Sequence, residues 1–176
     1  MIIVLGSPGS GKSVQSQRLA ESLGYTWVST GVLLRAQTNE SVKQKLNEGS
    51  LIDDNVVIGV LSEAILSYKT PQHVILDGFP RTIAQADWLV DWTRSHKLPI
   101  ALIVHLKVSE SIAVARLGRR KREDDTPDAI HARLEEYNDV VIPIIERFKN
   151  GGIRVIELSA DSSIDGVHEQ IMSTLG

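Results

Sequence analysis

The sequence predicts a three-layer α/β sandwich, in which a five-stranded parallel sheet lies between two layers of helices. Three observations predict it. Five short apolar runs show no polar alternation, as expected of strands covered on both faces. Segments with helical periodicity separate each run from the next, so the connections are crossovers of the doubly wound kind. The first run, Ile2-Ile3-Val4-Leu5, turns through Gly6-Ser7-Pro8-Gly9-Ser10-Gly11-Lys12-Ser13 into a helical segment. That octapeptide fits the phosphate-loop pattern G-x-x-x-x-G-K-[ST], and it has the strand before and the helix after that the pattern needs. The fold class is therefore a P-loop three-layer sandwich. Ligands of such sheets bind at the carboxyl ends of the strands.

The strands are expected at Ile2–Leu5, Tyr25–Val28, His73–Asp77, Ile100–Leu106 and Ile153–Leu158. Helices are expected near 12–23, 30–48, 54–69, 82–96, 109–119, 127–149 and 164–175. Gly24 stops the first helix. Asp53-Asp54 stands where an N-cap belongs, and Thr70-Pro71 ends the helix that follows. Thr126-Pro127 reads as an N-cap with proline in the first turn. Ile130, Leu134, Tyr137, Val141 and Ile145 form one apolar stripe, expected to face the core, and Pro143 is expected to kink that helix.

The 176 residues suffice for one domain with a substantial core. The apolar fraction is 42% and the charged fraction 23%, as in ordinary globular proteins. A net charge of −3 argues against a general nucleic-acid binder. The basic run Arg119-Arg120-Lys121-Arg122 is followed at once by Glu123, Asp124 and Asp125, which argues the same way. With no cysteine there is neither a disulfide nor a thiolate metal site. The five histidines show no metal spacing and are mostly expected at the surface. No apolar run is long enough to span a membrane, and no leader pattern precedes the first strand, so the expected location is the cytoplasm.

The phosphate loop implies a bound nucleoside triphosphate. Its glycines let successive backbone N–H groups point at one anion, and the helix N-terminus adds about half a positive charge. Lys12 brings a mobile charge to the β- and γ-phosphates, and the Ser13 hydroxyl is suited to ligate Mg²⁺. A second constellation follows the third strand: Leu76-Asp77-Gly78-Phe79-Pro80-Arg81-Thr82-Ile83-Ala84-Gln85. Asp77 leaves a buried strand where a carboxylate holds Mg²⁺ through water. Arg81 carries a planar fork suited to a second phosphate. Gln85 offers both a donor and an acceptor to a base edge.

This string resembles the adenylate kinase family, which carries Asp-Gly-Phe-Pro-Arg-Thr and a following Gln. Ser29-Thr30-Gly31-Val32-Leu33-Leu34-Arg35 is similar to the family's Ser-Thr-Gly-Asp-x-Leu-Arg element. Arg116, Arg120, Arg122, Asp124, Asp125 and Arg133 resemble its lid pattern. The resemblance implies that Gly6, Ser7, Pro8, Gly9, Ser10, Gly11, Lys12, Ser13 and Val14 hold ATP, with Arg116 against its adenine and phosphates. Thr30, Gly31, Arg35, Leu51, Ile52, Gly78, Arg81 and Gln85 would hold AMP, with Arg81 on its phosphate and Gln85 on its adenine. Lys12, Arg81, Arg120, Arg122 and Arg133 would be catalytic, neutralising the phosphoryl group in transfer. Residues 30–59 would form the AMP-binding insertion and 117–132 a reduced lid within a single 1–176 kinase domain. The implied reaction is reversible transfer from ATP to AMP, giving two ADP, with Mg²⁺ as cofactor and a monomer as the working unit.

Three departures stand out. Val32 replaces the family's usual Asp, and Ser13-Val14 replaces its usual Gly-Thr. These imply a metal shell rebalanced toward Ser13 and Asp77. The lid is very short, since only Lys121 separates Arg120 from Arg122. Two alternatives remain at this point: another acceptor such as CMP or UMP, which Thr30 and Gln85 disfavour, or a non-catalytic nucleotide sensor, which only Val32 favours. An N-K-x-D base motif of GTPase switches is absent.

Overall fold

The computed structural model describes residues 1–37, 52–120, 131, 134, 135 and 137–175, the side chain of residue 120 excepted. Five strands, β1 (Ile2–Gly6), β2 (Thr26–Ser29), β3 (Val74–Asp77), β4 (Leu102–Lys107) and β5 (Val155–Ser159), form one parallel sheet in the order β2-β3-β1-β4-β5. The described helices are α1 (Lys12–Leu23), α2 (Thr30–Arg35), α3 (Asp54–Ser67), α4 (Ile83–Ser95), α5 (Glu110–Arg120), α6 (Ile142–Asn150) and α7 (Ile164–Leu175).

The side-chain alternation of β1 divides the core into two. Ile3 and Leu5 join a cluster with Leu61 and Ile65 of α3, Leu89 and Trp92 of α4, and Ile144, Ile145 and Phe148 of α6. Ile2 and Val4 face the other way, onto Leu19 and Ala20 of α1 and Val167 and Ile171 of α7. Both faces of the central strands are thus covered, which is why their sequences read as unbroken apolar runs. Each buried side chain of this size contributes about 1.5–3 kcal/mol. The edge strand β5 differs: Glu157 and Ser159 are exposed.

Local signals act where expected. Gly24 caps α1 in the left-handed region at φ 65°. The Asp53 carboxylate accepts from the Asn55 N–H at 2.9 Å and caps α3. The five strands lie within two residues of their expected limits.

The helix expected over 127–149 is helical at every described residue, but not α-helical throughout. Residues Tyr137–Val141 form a π-helical turn, and α6 follows directly at Ile142 from a Val141 that is itself helical (φ −75°, ψ −36°), with Pro143 just past the π turn. The apolar stripe is interrupted accordingly: Ile145 is buried, but Leu134 and Tyr137 are half-buried and line a cleft. Ile130, the 126–127 cap and most of the helix expected at 30–48 lie outside the described residues.

Candidate active site

The phosphate loop leaves β1 through a gap that only glycine fits. A Cβ on Gly6 would lie 2.6 Å from the Leu106 carbonyl oxygen and 2.7 Å from the Ser10 hydroxyl. The Ser7 N–H donates to that same Leu106 carbonyl at 3.3 Å, and the Ser10 N–H to the Ser7 carbonyl at 3.2 Å. Gly9 and Gly11 take φ of 76° and 80°, which turns the chain back toward α1. A Cβ on Gly9 would meet the Ala113 backbone at 2.9 Å, so α5 lies directly against the loop. Lys12 opens α1, and Ser13 and Val14 are exposed in its first turn. The Ser7 and Ser10 hydroxyls are buried and have no hydrogen-bond partner among the described residues. Buried hydroxyls left unpaired are costly, and an anion seated in the loop would satisfy them.

Arg116 braces this loop. Its guanidinium donates to the carbonyls of Gly9 at 3.3 Å, Ala160 at 2.8 Å and Ser162 at 3.1 Å. The fork therefore joins the phosphate loop to the turn after β5.

The Arg81 turn stands beside this loop, because β3 pairs with β1 in the register Val4↔Asp77 and with β2 as Ser29↔Asp77. Asp77 is 2% exposed at the strand's carboxyl end. Gly78 has φ 81°, and a Cβ there would lie 3.0 Å from the Thr30 hydroxyl. That hydroxyl donates to the Gly78 carbonyl at 2.9 Å. The Phe79–Pro80 bond is cis. Arg81 Nε donates to the Gly78 carbonyl at 3.1 Å, so the exposed guanidinium curls over the turn. The Arg35 guanidinium likewise lies over Gly31, 3.5 Å from where a Cβ would stand.

Gln85 is 3% exposed. Its Oε1 accepts from the Arg81 N–H at 2.7 Å, and its Nε2 donates to Asp54 Oδ1 at 2.7 Å. Asp54 Oδ2 accepts from the Thr82 hydroxyl at 2.9 Å, and that hydroxyl accepts from the Gln85 N–H at 3.1 Å to cap α4. Asp54, which the sequence pattern marks only as part of a helix cap, thus joins Thr82 to Gln85.

Of the residues singled out in the sequence, Gly6 to Val14, Thr30, Gly31, Arg35, Gly78, Arg81, Gln85, Asp77 and Arg116 lie on the strand ends, the turns after them and the helices those turns enter, with Arg116 joined to the phosphate loop through the Gly9 carbonyl. Ile52 packs against the adjoining core. Leu51, Arg122, Arg133 and the Arg120 side chain lie outside the described residues. Val32, at the position of the family's Asp, is 45% exposed.

His105 departs from a surface placement. It is fully buried in β4, beside Leu5, and bonds the Tyr137 hydroxyl through Nε2. Burial pushes its pKa down to about 4, against the pull of Glu157. Tyr137 is pushed up to about 12 by burial. Hydrogen bonds from Lys107 and Lys149 hold Glu157 down at about 2. A cleft of about 180 Å³ opens between Tyr137, Asn138, Val108 and Ser7 of the phosphate loop. Nothing in the sequence pattern singled out His105, because a histidine inside an apolar strand carries no motif.

A phosphate loop and an arginine turn on adjacent strands of a doubly wound parallel sheet define a P-loop nucleotide phosphotransferase. Residues 4–153 match the family model described as adenylate kinase. The chain is similar to an adenylate kinase of Synechococcus sp. (strain CC9902), 33% identical over 180 residues, covering 99% of this chain and 97% of the relative. It is likewise similar to one from Xylella fastidiosa (strain M12), 34% identical over 185 residues, with 99% and 98% covered. A third, from Phocaeicola vulgatus, is 35% identical over 161 residues, with 86% and 85% covered. The chain belongs to the adenylate kinase family.

Proposed function

We propose that the chain catalyses reversible, Mg²⁺-dependent phosphoryl transfer from ATP to AMP, giving two ADP. The observation that carries this reading is the shared edge: the phosphate loop and the Arg81 turn leave paired strands, with Val4 of β1 against Asp77 of β3. On this reading the edge would bring donor and acceptor phosphates to one place. Transfer between two nucleotides needs alignment, charge neutralisation and exclusion of water, and no general base of its own.

In this reading Gly6 to Val14 hold the donor triphosphate, with Lys12 on its outer phosphates and Arg116, which donates to the Gly9 carbonyl, against its adenine and phosphates. Thr30, Gly31, Arg35, Ile52 and Gly78, together with Leu51, shape the acceptor pocket. Arg81 holds the acceptor phosphate, and Gln85 reads the base. Arg120, Arg122 and Arg133 complete the cationic ring from 117–132 and its exit, and residues 30–59 act as the acceptor-binding insertion.

The residues present fit Mg²⁺, which takes one or two carboxylates, phosphate oxygens and water. Asp77 supplies a carboxylate and Ser13 an exposed hydroxyl at the same sheet edge. When bound, the ion neutralises charge on the phosphates. Both nucleotide pockets are built from one chain, so a monomer suffices. A reaction between ATP and AMP belongs where both are abundant, in the cytoplasm. No described helix is long and apolar enough to cross a membrane.

The test is ADP formation from ATP with AMP, CMP or UMP offered side by side. Two ADP per AMP consumed, with AMP preferred, is the expected result. No turnover of AMP would overturn the reading. Ser13→Ala is expected to raise the Mg²⁺ concentration needed for half-maximal rate; an unchanged requirement removes Ser13 from the metal shell.

A further inference from the structure

We propose that Asp54 is a specificity-determining positioning residue: it locks the Gln85 side-chain amide in the one orientation that accepts a 6-amino purine and rejects a 6-oxo purine. The inference rests on the reading of Gln85 as the residue that reads the acceptor base.

An amide has a carbonyl with two lone pairs and a nitrogen with two hydrogens. At Gln85 one lone pair accepts from the Arg81 backbone N–H, and one hydrogen goes to Asp54 Oδ1, each at 2.7 Å. One acceptor and one donor remain. The Arg81 N–H can only donate, and an ionised carboxylate can only accept. A 180° flip of the amide would set N–H against N–H on one side and oxygen against oxygen on the other. The two anchors come from different elements, the turn before α4 and the first turn of α3. Asp54 is itself held by the Thr82 hydroxyl through its second oxygen. Gln85 is 3% exposed, so water cannot readily replace either bond.

A free glutamine recognises either kind of base by flipping, because an amide and its flipped form present opposite orders of donor and acceptor. Adenine presents a donor at the 6-amino group and an acceptor at N1. Hypoxanthine and guanine present an acceptor at the 6-oxo group and a donor at N1. The locked amide pairs with the first order and opposes the second. Asp54 thus turns an ambivalent reader into a selective one, by penalising the wrong partner.

The experiment compares kcat/KM for AMP and IMP in wild type, Asp54→Asn, Asp54→Ala and Asp53→Ala. Asn keeps the shape of Asp, yet its amide can face Gln85 with either its oxygen or its nitrogen. Both Asp54 variants are expected to lower the AMP-over-IMP ratio about tenfold or more. Asp53→Ala removes the neighbouring cap of α3 without touching Gln85; it is expected to lower the unfolding midpoint and leave the ratio unchanged. A parallel loss for both nucleotides in the Asp54 variants, with the ratio intact, overturns the proposal and leaves Asp54 a structural tie. A wild type that uses AMP and IMP equally overturns the parent reading of Gln85, and this inference with it, before any variant is measured. If Asp54→Ala fails to fold, Asp54→Asn alone decides.

Discussion

The two halves of the site are held in shape by different means. The phosphate loop is shaped by backbone sterics: Gly6 wedged against the Leu106 carbonyl, Gly9 against the Ala113 backbone, and two residues at positive φ. The Arg81 turn has one glycine at positive φ, Gly78, and is otherwise tied by side chains: Thr30 on the Gly78 carbonyl, and Asp54 joining Thr82 to Gln85. Under the proposed function the first device would grip any triphosphate, because backbone N–H groups read charge and not the base. The second suits discrimination, because donors and acceptors on side chains can be matched to one base edge. On that reading grip and choice would sit in separate parts of one sheet edge.

The comparison breaks most sharply at its two cations. Lys12→Ala and Arg81→Ala are each expected to lower turnover about 100-fold or more, from loss of preorganised charge. They should differ in binding: Arg81→Ala weakens AMP binding, and Lys12→Ala leaves it nearly intact. Calorimetric titration with AMP checks this. Equal loss of AMP affinity in both would merge the two halves into one site.

How much of this was legible follows the same division. The glycines of 6–11 announced themselves, because a steric requirement on the backbone leaves a residue type at a fixed spacing. Lys12, Asp77 and Arg81 were legible for a related reason, since Asp77 ends β3 and the other two lie within six residues of a strand end. The Asp54 network was not, because its partners lie 28 and 31 residues away and the pairing exists only once α3 and α4 pack. Sequence pattern gave Asp54 a local reading as a cap, and Asp53 in fact holds that position. The π turn at 137–141 escaped for a third reason. Its periodicity looks helical, and the one-residue widening that forms a π turn leaves no mark in the pattern of residue types.

Glycine substitutions sharpen the contrast. Gly6→Ala places Cβ 2.6 Å from a backbone carbonyl that cannot move without disturbing β4. The expected cost is about 3 kcal/mol of stability, with a raised KM for ATP and little change for AMP. Gly78→Ala meets a movable hydroxyl at 3.0 Å and adds only the cost of positive φ, about 1 kcal/mol. Its effect should fall on AMP. Urea unfolding and the paired KM values check both, and equal costs at the two positions would remove the distinction between a rigid and an adaptable half.

A last expected effect separates the halves by acid. His105 is buried next to the β1 strand that carries the phosphate loop, and its pKa is pushed down to about 4 by burial. The folded chain keeps it neutral, whereas the unfolded chain protonates it below about pH 6.5. Stability from this residue is therefore complete above pH 6.5 and falls as the pH drops toward 4, where the folded form also takes the proton. Between pH 7 and 5 the loss is about 2 kcal/mol. Glu157, held at about 2, contributes its own loss only at lower pH, so it does not enter this window. His168, also pushed down by burial and by Arg18, is common to wild type and variant and cancels in their difference. His105→Gln keeps an acceptor for Tyr137 and removes the titration. Its urea-unfolding free energy should lose about 2 kcal/mol less than wild type between pH 7 and 5; parallel pH profiles would mean that His105 takes up its proton in the folded chain as it does in the unfolded one, and that burial does not make it acid-sensitive.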